Sequence, residues 1–488
     1  MQPQPYFFNL LQSIDKEQLR NLYQPYIGHD VTLDITWQIA ARLTQRYRQE
    51  GYFLSRAYVP AQEVKNGVLR IVGVEGYIND VSLNGEAPVS SLISKAIDAI
   101  KAERPARMQT LERQLLLLND LPGVSFQATL EPGHDKNQAS AHLILVAKKT
   151  KSTITLTLDN GGSRYIGPYE AEATWSGSLL PLQKTDLSVQ TAPFGGQLYA
   201  ANATQKIMLT TAAAFNLGIG YTTALPGYTL KPQDITSKSI NGEMGLSYLL
   251  RRQRQGNITL RLTADLLNTN SNILDTTLSR DRIRTATLGM TFDSIDTWLG
   301  RNYLDLAVRR GLPIFGSNKA EDIDISRPGA QPAFMKLMAT YIRQQSLIKN
   351  WGGTLTVTGQ KASGSLYSSE EFGYGGMAIG RAYDTSEISG DDGISGSVEI
   401  RYQGLPQTSH LTFAPYGFYD IGKVWNQNTG QPAQISGASA GPGIAINHDS
   451  GLAANLYMAV PLTKPKDTPL YGGNGKSPRY TFQMSYKF

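Results

Sequence analysis

Alternation of apolar and polar residues governs the chain after Lys149 and limits what it can fold into. Ile154, Leu156 and Leu158 interleave with Thr153, Thr155, Thr157 and Asp159, and Ile258, Leu260, Leu262, Ala264 and Leu266 with Thr259, Arg261, Thr263 and Asp265. The pattern continues through Leu304, Leu306 and Val308 and through Leu355 and Val357. It closes with Tyr480, Phe482, Met484, Tyr486 and Phe488 set between Thr481, Gln483, Ser485 and Lys487. Such strands carry one apolar and one polar face. A soluble sandwich also alternates, but its strands average about five or six residues. Several runs here reach about nine, the length that crosses a bilayer at a barrel's tilt. The polar faces include Arg261, Asp265, Asp305 and Arg309, which suit a water-filled interior. At roughly 20 residues per strand and connection, residues 150–488 hold about sixteen antiparallel strands, a number that leaves an aqueous channel. An all-β transmembrane barrel is the expected fold of this part.

Composition agrees once alternation is taken into account. A mean hydropathy of −0.27 would by itself suggest a soluble protein, but barrel strands hide their apolar face in the average. The longest apolar runs, such as Leu115 to Leu118, fall far short of the roughly 20 residues of a spanning helix. There is no cysteine, which excludes disulfides, thiolate metal sites and cysteine nucleophiles. The net charge of +6 is mild and carries no expectation of nucleic-acid binding.

No catalytic residue, metal site or cofactor is expected. His29, His134, His142, His410 and His448 are scattered, with no pair at metal-ligand spacing. P-loop, Rossmann and nucleophile-elbow motifs are missing. Glu387, Asp391 and Asp392 read as a solvated loop rather than a calcium site, since EF-hand spacing is absent. Arg251, Arg252 and Arg254 read as an interfacial rim, with lipopolysaccharide contact as the alternative.

The first 150 or so residues are mixed α/β and suggest two small units, 1–75 and 76–149, ahead of the barrel at 150–488. Ile35, Ile39, Leu43 and Tyr47 recur every fourth position within Thr32 to Gln49, and Gly51 stops that helix. Strands are expected at Phe53 to Val59 and Val68 to Val74, parted by the turn Lys65-Asn66-Gly67. The second unit reads as a strand at Tyr77 to Leu83 and helices at Val89 to Lys101 and Met108 to Leu118. Strands at Phe126 to Leu130 and His142 to Ala147 complete it. Met108, Leu111, Leu115 and Leu118 are expected on the buried face of its second helix. The stretch before Lys16 lacks the organisation of a signal peptide, so Met1 is expected to begin a processed or truncated chain.

Together these segments resemble the TpsB transporters of two-partner secretion, the haemolysin secretion and activation family of the Omp85 superfamily. Gly51-Tyr52, the run Tyr58 to Gln62 with Pro60, and Gly67-Val68-Leu69 look like the family's first POTRA domain. Leu111-Glu112-Arg113 and Leu117 to Val124, with Asp120, Pro122 and Gly123, are similar to the second. Phe372 to Gly376 and Gly380-Arg381-Ala382-Tyr383-Asp384 resemble the family's long surface loop that folds back into the lumen, with Ala382 where relatives commonly have glycine. Gly417-Phe418-Tyr419-Asp420-Ile421-Gly422 looks like the strand whose aspartate meets the loop arginine. By parity Asp420 should point into the lumen, where Arg381 is expected to fork onto it. Tyr480, Phe482, Tyr486 and Phe488 look like the C-terminal signal read by the barrel assembly machinery. The first POTRA strand is altered around Tyr6 to Gln12, and the plug helix found in many members is not visible.

The resemblance implies an outer-membrane protein with periplasmic POTRA domains, lipid around its barrel, and a secreted TpsA-type exoprotein as partner. Nucleic acid and cofactors have no place in it. An Omp85 assembly factor that inserts other barrels is the nearest alternative. A porin fits less well because porins lack POTRA domains, and a receptor because receptors carry a plug fold; a soluble binding protein would not need detergent for extraction.

Overall fold

The computed structural model describes residues 13–64, 68–133, 139–192, 197–274, 276–405, 410–427, 430–463 and 477–488. Tyr6 to Gln12, the turn Lys65-Asn66-Gly67 and His134 lie outside the described residues. Met1–Thr150 and Lys151–Phe488 form two compact units.

In the first unit, helix α1 (Lys16–Tyr23) is capped by the Asp15 side chain, which accepts from the Glu17 N–H. Helix α2 (Leu33–Gln49) begins where the Thr32 hydroxyl accepts from the Ile35 N–H, and ends at Gly51, whose φ of +88° few other residues tolerate. Its buried stripe is Ile39, Leu43 and Tyr47, the last two packed with Ile14, Leu19 and Tyr52, while Ile35 is only half-buried. The two strands that follow are shorter than expected, Arg56–Tyr58 against Val72–Val74. Pro60 has no N–H to give a ladder, so pairing stops before it. The Gln62 amide pairs with the Arg70 backbone instead, donating to its carbonyl at 2.8 Å and accepting from its N–H at 2.7 Å.

Beyond Gly76 the order is strand Tyr77–Gly85, helix α3 (Ser91–Ala102), helix α4 (Met108–Asn119), and strands Val124–Pro132 and Ser140–Lys149. The last strand is central, parallel to the first and antiparallel to the second. Ile78, Ile93, Leu118, Leu143 and Leu145 form the core between helices and sheet. The expected face of α4 needs correction. Met108, the first residue of the helix, is 44 % exposed and Leu115 is only half-buried, while Leu117 lies in the core at 2 %.

The second unit is a closed sixteen-stranded barrel in which Arg479–Lys487, the last strand, pairs antiparallel with Thr153–Asp159, the first. No helix among the described residues is long and apolar enough to cross a membrane. Side chains alternate as the sequence requires. Along Leu411–Trp425, Tyr416, Phe418, Asp420 and Val424 are buried, whereas Tyr419 and Ile421 face outward. In the last strand Arg479 and Thr481 point inward, and the aromatic set Tyr480, Phe482, Tyr486 and Phe488 takes the other face, with the last two rings 4.6 Å apart. The four lumenal charges pair across an intervening strand. Arg261 forks onto Asp305, with Nη2 2.6 Å from Oδ1, and Arg309 lies 2.9 Å from Asp265. Connections at one end of the barrel are short turns; at the other they include the long segments 312–334 and 363–391.

Candidate functional site

Segment 363–391 leaves the barrel rim and turns back inside it. Its arms, Phe372–Tyr374 and Ile388–Gly390, pair antiparallel. The bend is made by glycines with positive φ, Gly375 at +121°, Gly376 at +111° and Gly380 at +79°. Ala382 is not among the left-handed residues, so the alanine carries no backbone strain. The Gly380 carbonyl accepts from the Tyr383 N–H at 2.8 Å and closes the tip. Tyr374, Ala382, Tyr383 and Ile388 then pack against inward-facing Tyr416, Phe418, Val424 and Tyr457 in one buried cluster.

The wall is cut to receive the loop. A Cβ at Gly422 would lie 2.2 Å from a Tyr374 ring carbon, and one at Gly393 would lie 2.0 Å from the Phe372 ring. Gly417, one residue out of phase, faces outward with nothing within 4 Å of such a Cβ, so the site does not use it. Gly422→Ala is expected to force Tyr374 off the wall at a cost of about 1–3 kcal/mol. Heat-modified mobility of the folded barrel, with protease cleavage in 375–385, would register the change.

At the tip, the geometry departs from the expected fork. Asp420 is fully buried, and its Oδ2 accepts from the backbone N–H groups of Gly380 and Arg381, both at 3.1 Å, and from Ser439 Oγ at 3.4 Å. Arg381 comes no nearer than 3.8 Å to that oxygen through Nε. Its guanidinium instead reaches Glu399 at 3.2 Å and lies over the Phe418 ring at 4.1 Å. Asp420 thus grips the loop's backbone, while Glu399 and Phe418 hold its cation. On the other side, Arg479 Nη1 donates to the Tyr383 carbonyl at 2.6 Å, the Tyr383 hydroxyl donates to the Ala438 carbonyl at 2.9 Å, and the Asp384 N–H donates to Glu387 Oε2 at 2.8 Å.

A second anchor sits at the loop's two roots, and here the solvated-loop reading of Asp391 and Asp392 is corrected. Asp391 is fully buried and Asp392 is 6 % exposed. Arg327, from segment 312–334, reaches Asp391 Oδ1 at 2.6 Å, Glu371 at 3.3 Å and the Leu366 carbonyl at 2.8 Å. Asp391 also accepts from the N–H groups of Leu366 at 2.7 Å and Gln427 at 2.8 Å. Burial pushes the Asp391 carboxyl up, but the Arg327 hydrogen bond and these N–H groups outweigh it and leave the carboxyl below its ordinary range. Burial pushes Glu371 above its own. Alternation says nothing about residues in irregular loops, so Arg327 carried no sequence signal. Glu399 and Arg479 could have been found by parity, as charges on lumenal faces.

The POTRA motif residues are structural. Arg107 Nη2 donates to the Tyr52 hydroxyl at 2.6 Å, and Gly51 O accepts from the Met108 N–H at 2.9 Å. Asp120 is the C-cap of α4, and Gly123 has φ +81°. Between them Pro122 follows buried Leu121. Pro60 O accepts from Gln62 Nε2 at 3.4 Å. Gly67 lies outside the described residues. Burial and the Glu75 carboxylate push the Tyr47 phenol up.

A family model described as haemolysin secretion/activation protein ShlB/FhaC/HecB matches residues 198–443, over half of the chain and the whole of the inserted loop with its strand. The chain belongs to this family. A ShlB-type POTRA domain model matches residues 6–76. The heme/hemopexin transporter protein HuxB of Haemophilus influenzae is 22 % identical over 92 % of this chain and 81 % of its own length. Among solved structures, CdiB from Escherichia coli superposes with a TM-score of 0.79 at 16 % identity, over 98 % of this chain and 88 % of that one. BamA from Haemophilus ducreyi, lacking POTRA domains 1–3, reaches 0.57 at 12 % identity, over 100 % and 99 %.

This TpsB protein is an outer-membrane transporter that moves an exoprotein partner through its barrel, with its POTRA unit in the periplasm. The chain enters its first strand at Thr153 from that side, so the short turns are periplasmic and the long segments lie at the cell surface. Arg251, Arg252 and Arg254 therefore lie at the periplasmic rim, away from the lipopolysaccharide of the outer leaflet. His410 and His448, distant in sequence, meet there with rings 6.2 Å apart. No group among the described residues is suited to a metal ion.

Proposed function

We propose that the transporter exports one large TpsA-type exoprotein in unfolded form, and that segment 363–391, held through Gly380 to Asp384, sets the resting state of the pore. The observation that carries this reading is the double backbone grip of fully buried Asp420 on the loop tip. A loop fixed that way obstructs the lumen and has to shift before a chain can pass. The parts divide as two POTRA domains, 1–75 and 76–149, and the barrel, 150–488. The partner adds as an extended segment to a POTRA sheet edge, where main-chain hydrogen bonds give affinity without demanding particular side chains. The periplasm offers no ATP, so folding of the emerged segment outside the cell supplies direction. Barrel assembly machinery reads the final strand through Tyr480, Phe482, Tyr486 and Phe488, and outer-membrane lipid covers the apolar face. Catalysis, cofactors and nucleic acid play no part.

Secretion of the exoprotein encoded beside the gene, scored in the medium and on cells with and without the transporter, tests the reading. Export only in its presence, with other outer-membrane proteins at normal levels, is expected. Normal export together with failure of several barrels to assemble would identify an insertase instead.

A further inference from the structure

Arg327 has a place in the fold that the loop tip does not explain. It comes from a different surface segment, 312–334, and is 3 % exposed. Its guanidinium touches the beginning of the inserted loop at Glu371 and the end at Asp391, which is itself tied to a third surface segment through the Gln427 N–H. Ile325 and Phe334 of its own segment and Leu366 and Tyr367 of the inserted one form a buried apolar cluster that also includes Ile283 of the barrel wall. One buried cation thus joins three surface segments. Two carboxylates share that single arginine, so opening the junction leaves buried like charges facing each other until water enters. Such an arrangement favours two states, closed and dry or open and wet, over a gradual loosening.

We propose that Arg327 is the post of a surface lid, and that export requires segment 312–334 to part from the inserted loop at this junction. In this mechanism Arg327 is a positioning residue: it touches no cargo and acts by holding Glu371 and Asp391 together. The tip contact at Asp420 sets where the loop lies in the lumen, and the Arg327 contact sets whether the outer mouth is shut. The inference rests on the export reading.

The absence of cysteine makes a direct test possible. Ser326 Oγ accepts from the Ser368 N–H at 3.1 Å, which puts the two segments side by side next to the junction. A Ser326→Cys/Ser368→Cys transporter in cells would be oxidised with a membrane-impermeant reagent. The crosslinked fraction would be read by maleimide-polymer gel shift and partner secretion measured before oxidation, after it and after reduction. Secretion should fall in proportion to the crosslinked fraction and return on reduction. Full secretion from crosslinked transporter would overturn the lid, as would a pair that never crosslinks. Failure of the untreated protein to export would strike at the export reading instead. Arg327→Lys gives a second readout, because an ammonium cannot fork across both carboxylates. Raised entry of a glycopeptide antibiotic at normal barrel levels is expected, and unchanged entry would count against the post.

Discussion

Alanine in place of Arg381 is expected to abolish partner secretion while the barrel remains at its normal level. The guanidinium is nearly buried, 3.2 Å from Glu399 and 4.1 Å above the Phe418 ring. Glu399 keeps Arg401 at 2.6 Å when Arg381 is removed, so the lost pair is worth less than the about 3–5 kcal/mol of one whose loss leaves a buried charge unpaired. A desolvated cation–π contact adds about 2 kcal/mol. That is enough to release the tip from its resting place. The geometry also separates two models of the site. If Arg381 forked onto Asp420, Asp420→Asn would be nearly as damaging as Arg381→Ala. Here Asp420 acts through one oxygen that accepts two backbone N–H bonds, and an asparagine carbonyl oxygen can accept the same two. Asp420→Asn should therefore keep much of secretion. Asp420→Ala orphans both donors at about 1–3 kcal/mol each and should match Arg381→Ala. Quantitative blots of the medium and the outer membrane for the three variants decide the matter. Normal secretion by Arg381→Ala would refute the loop's role.

A second large effect is expected in the N-terminal unit. Leu118 is fully buried on α4 against the three-stranded sheet, and Leu→Ala at such a site costs about 2–5 kcal/mol. For a small domain that is a large part of a total stability of roughly 5–15 kcal/mol. Secretion should fail with the barrel still folded, because the barrel is a separate compact unit. Limited proteolysis of the whole protein would show the N-terminal unit degraded and a heat-modifiable barrel fragment intact. Met108→Ala is the matched control. The sequence pattern alone puts Met108 on the same face, yet its 44 % exposure predicts little effect. Equal loss in both variants would mean that the packing described for α4 is wrong.

By itself the sequence determined the barrel, its approximate strand number, the side on which each charge lies, and the C-terminal aromatic face. All of these follow from the period of two, since a strand that shifts by one residue exchanges its wet and greasy faces. That period puts Arg261, Asp265, Asp305, Arg309 and Asp420 in the lumen from the sequence alone. Tertiary structure decided what periodicity cannot encode. It chose Glu399 and Phe418 as partners of the Arg381 cation, and it gave Asp420 to the loop backbone. It brought Arg327 to Glu371 and Asp391, and it turned a loop that reads as solvated into a dry junction. Those contacts join irregular segments that touch only after the barrel has closed, and hydrogen-bond geometry, unlike face, is fixed by distances that no local pattern records.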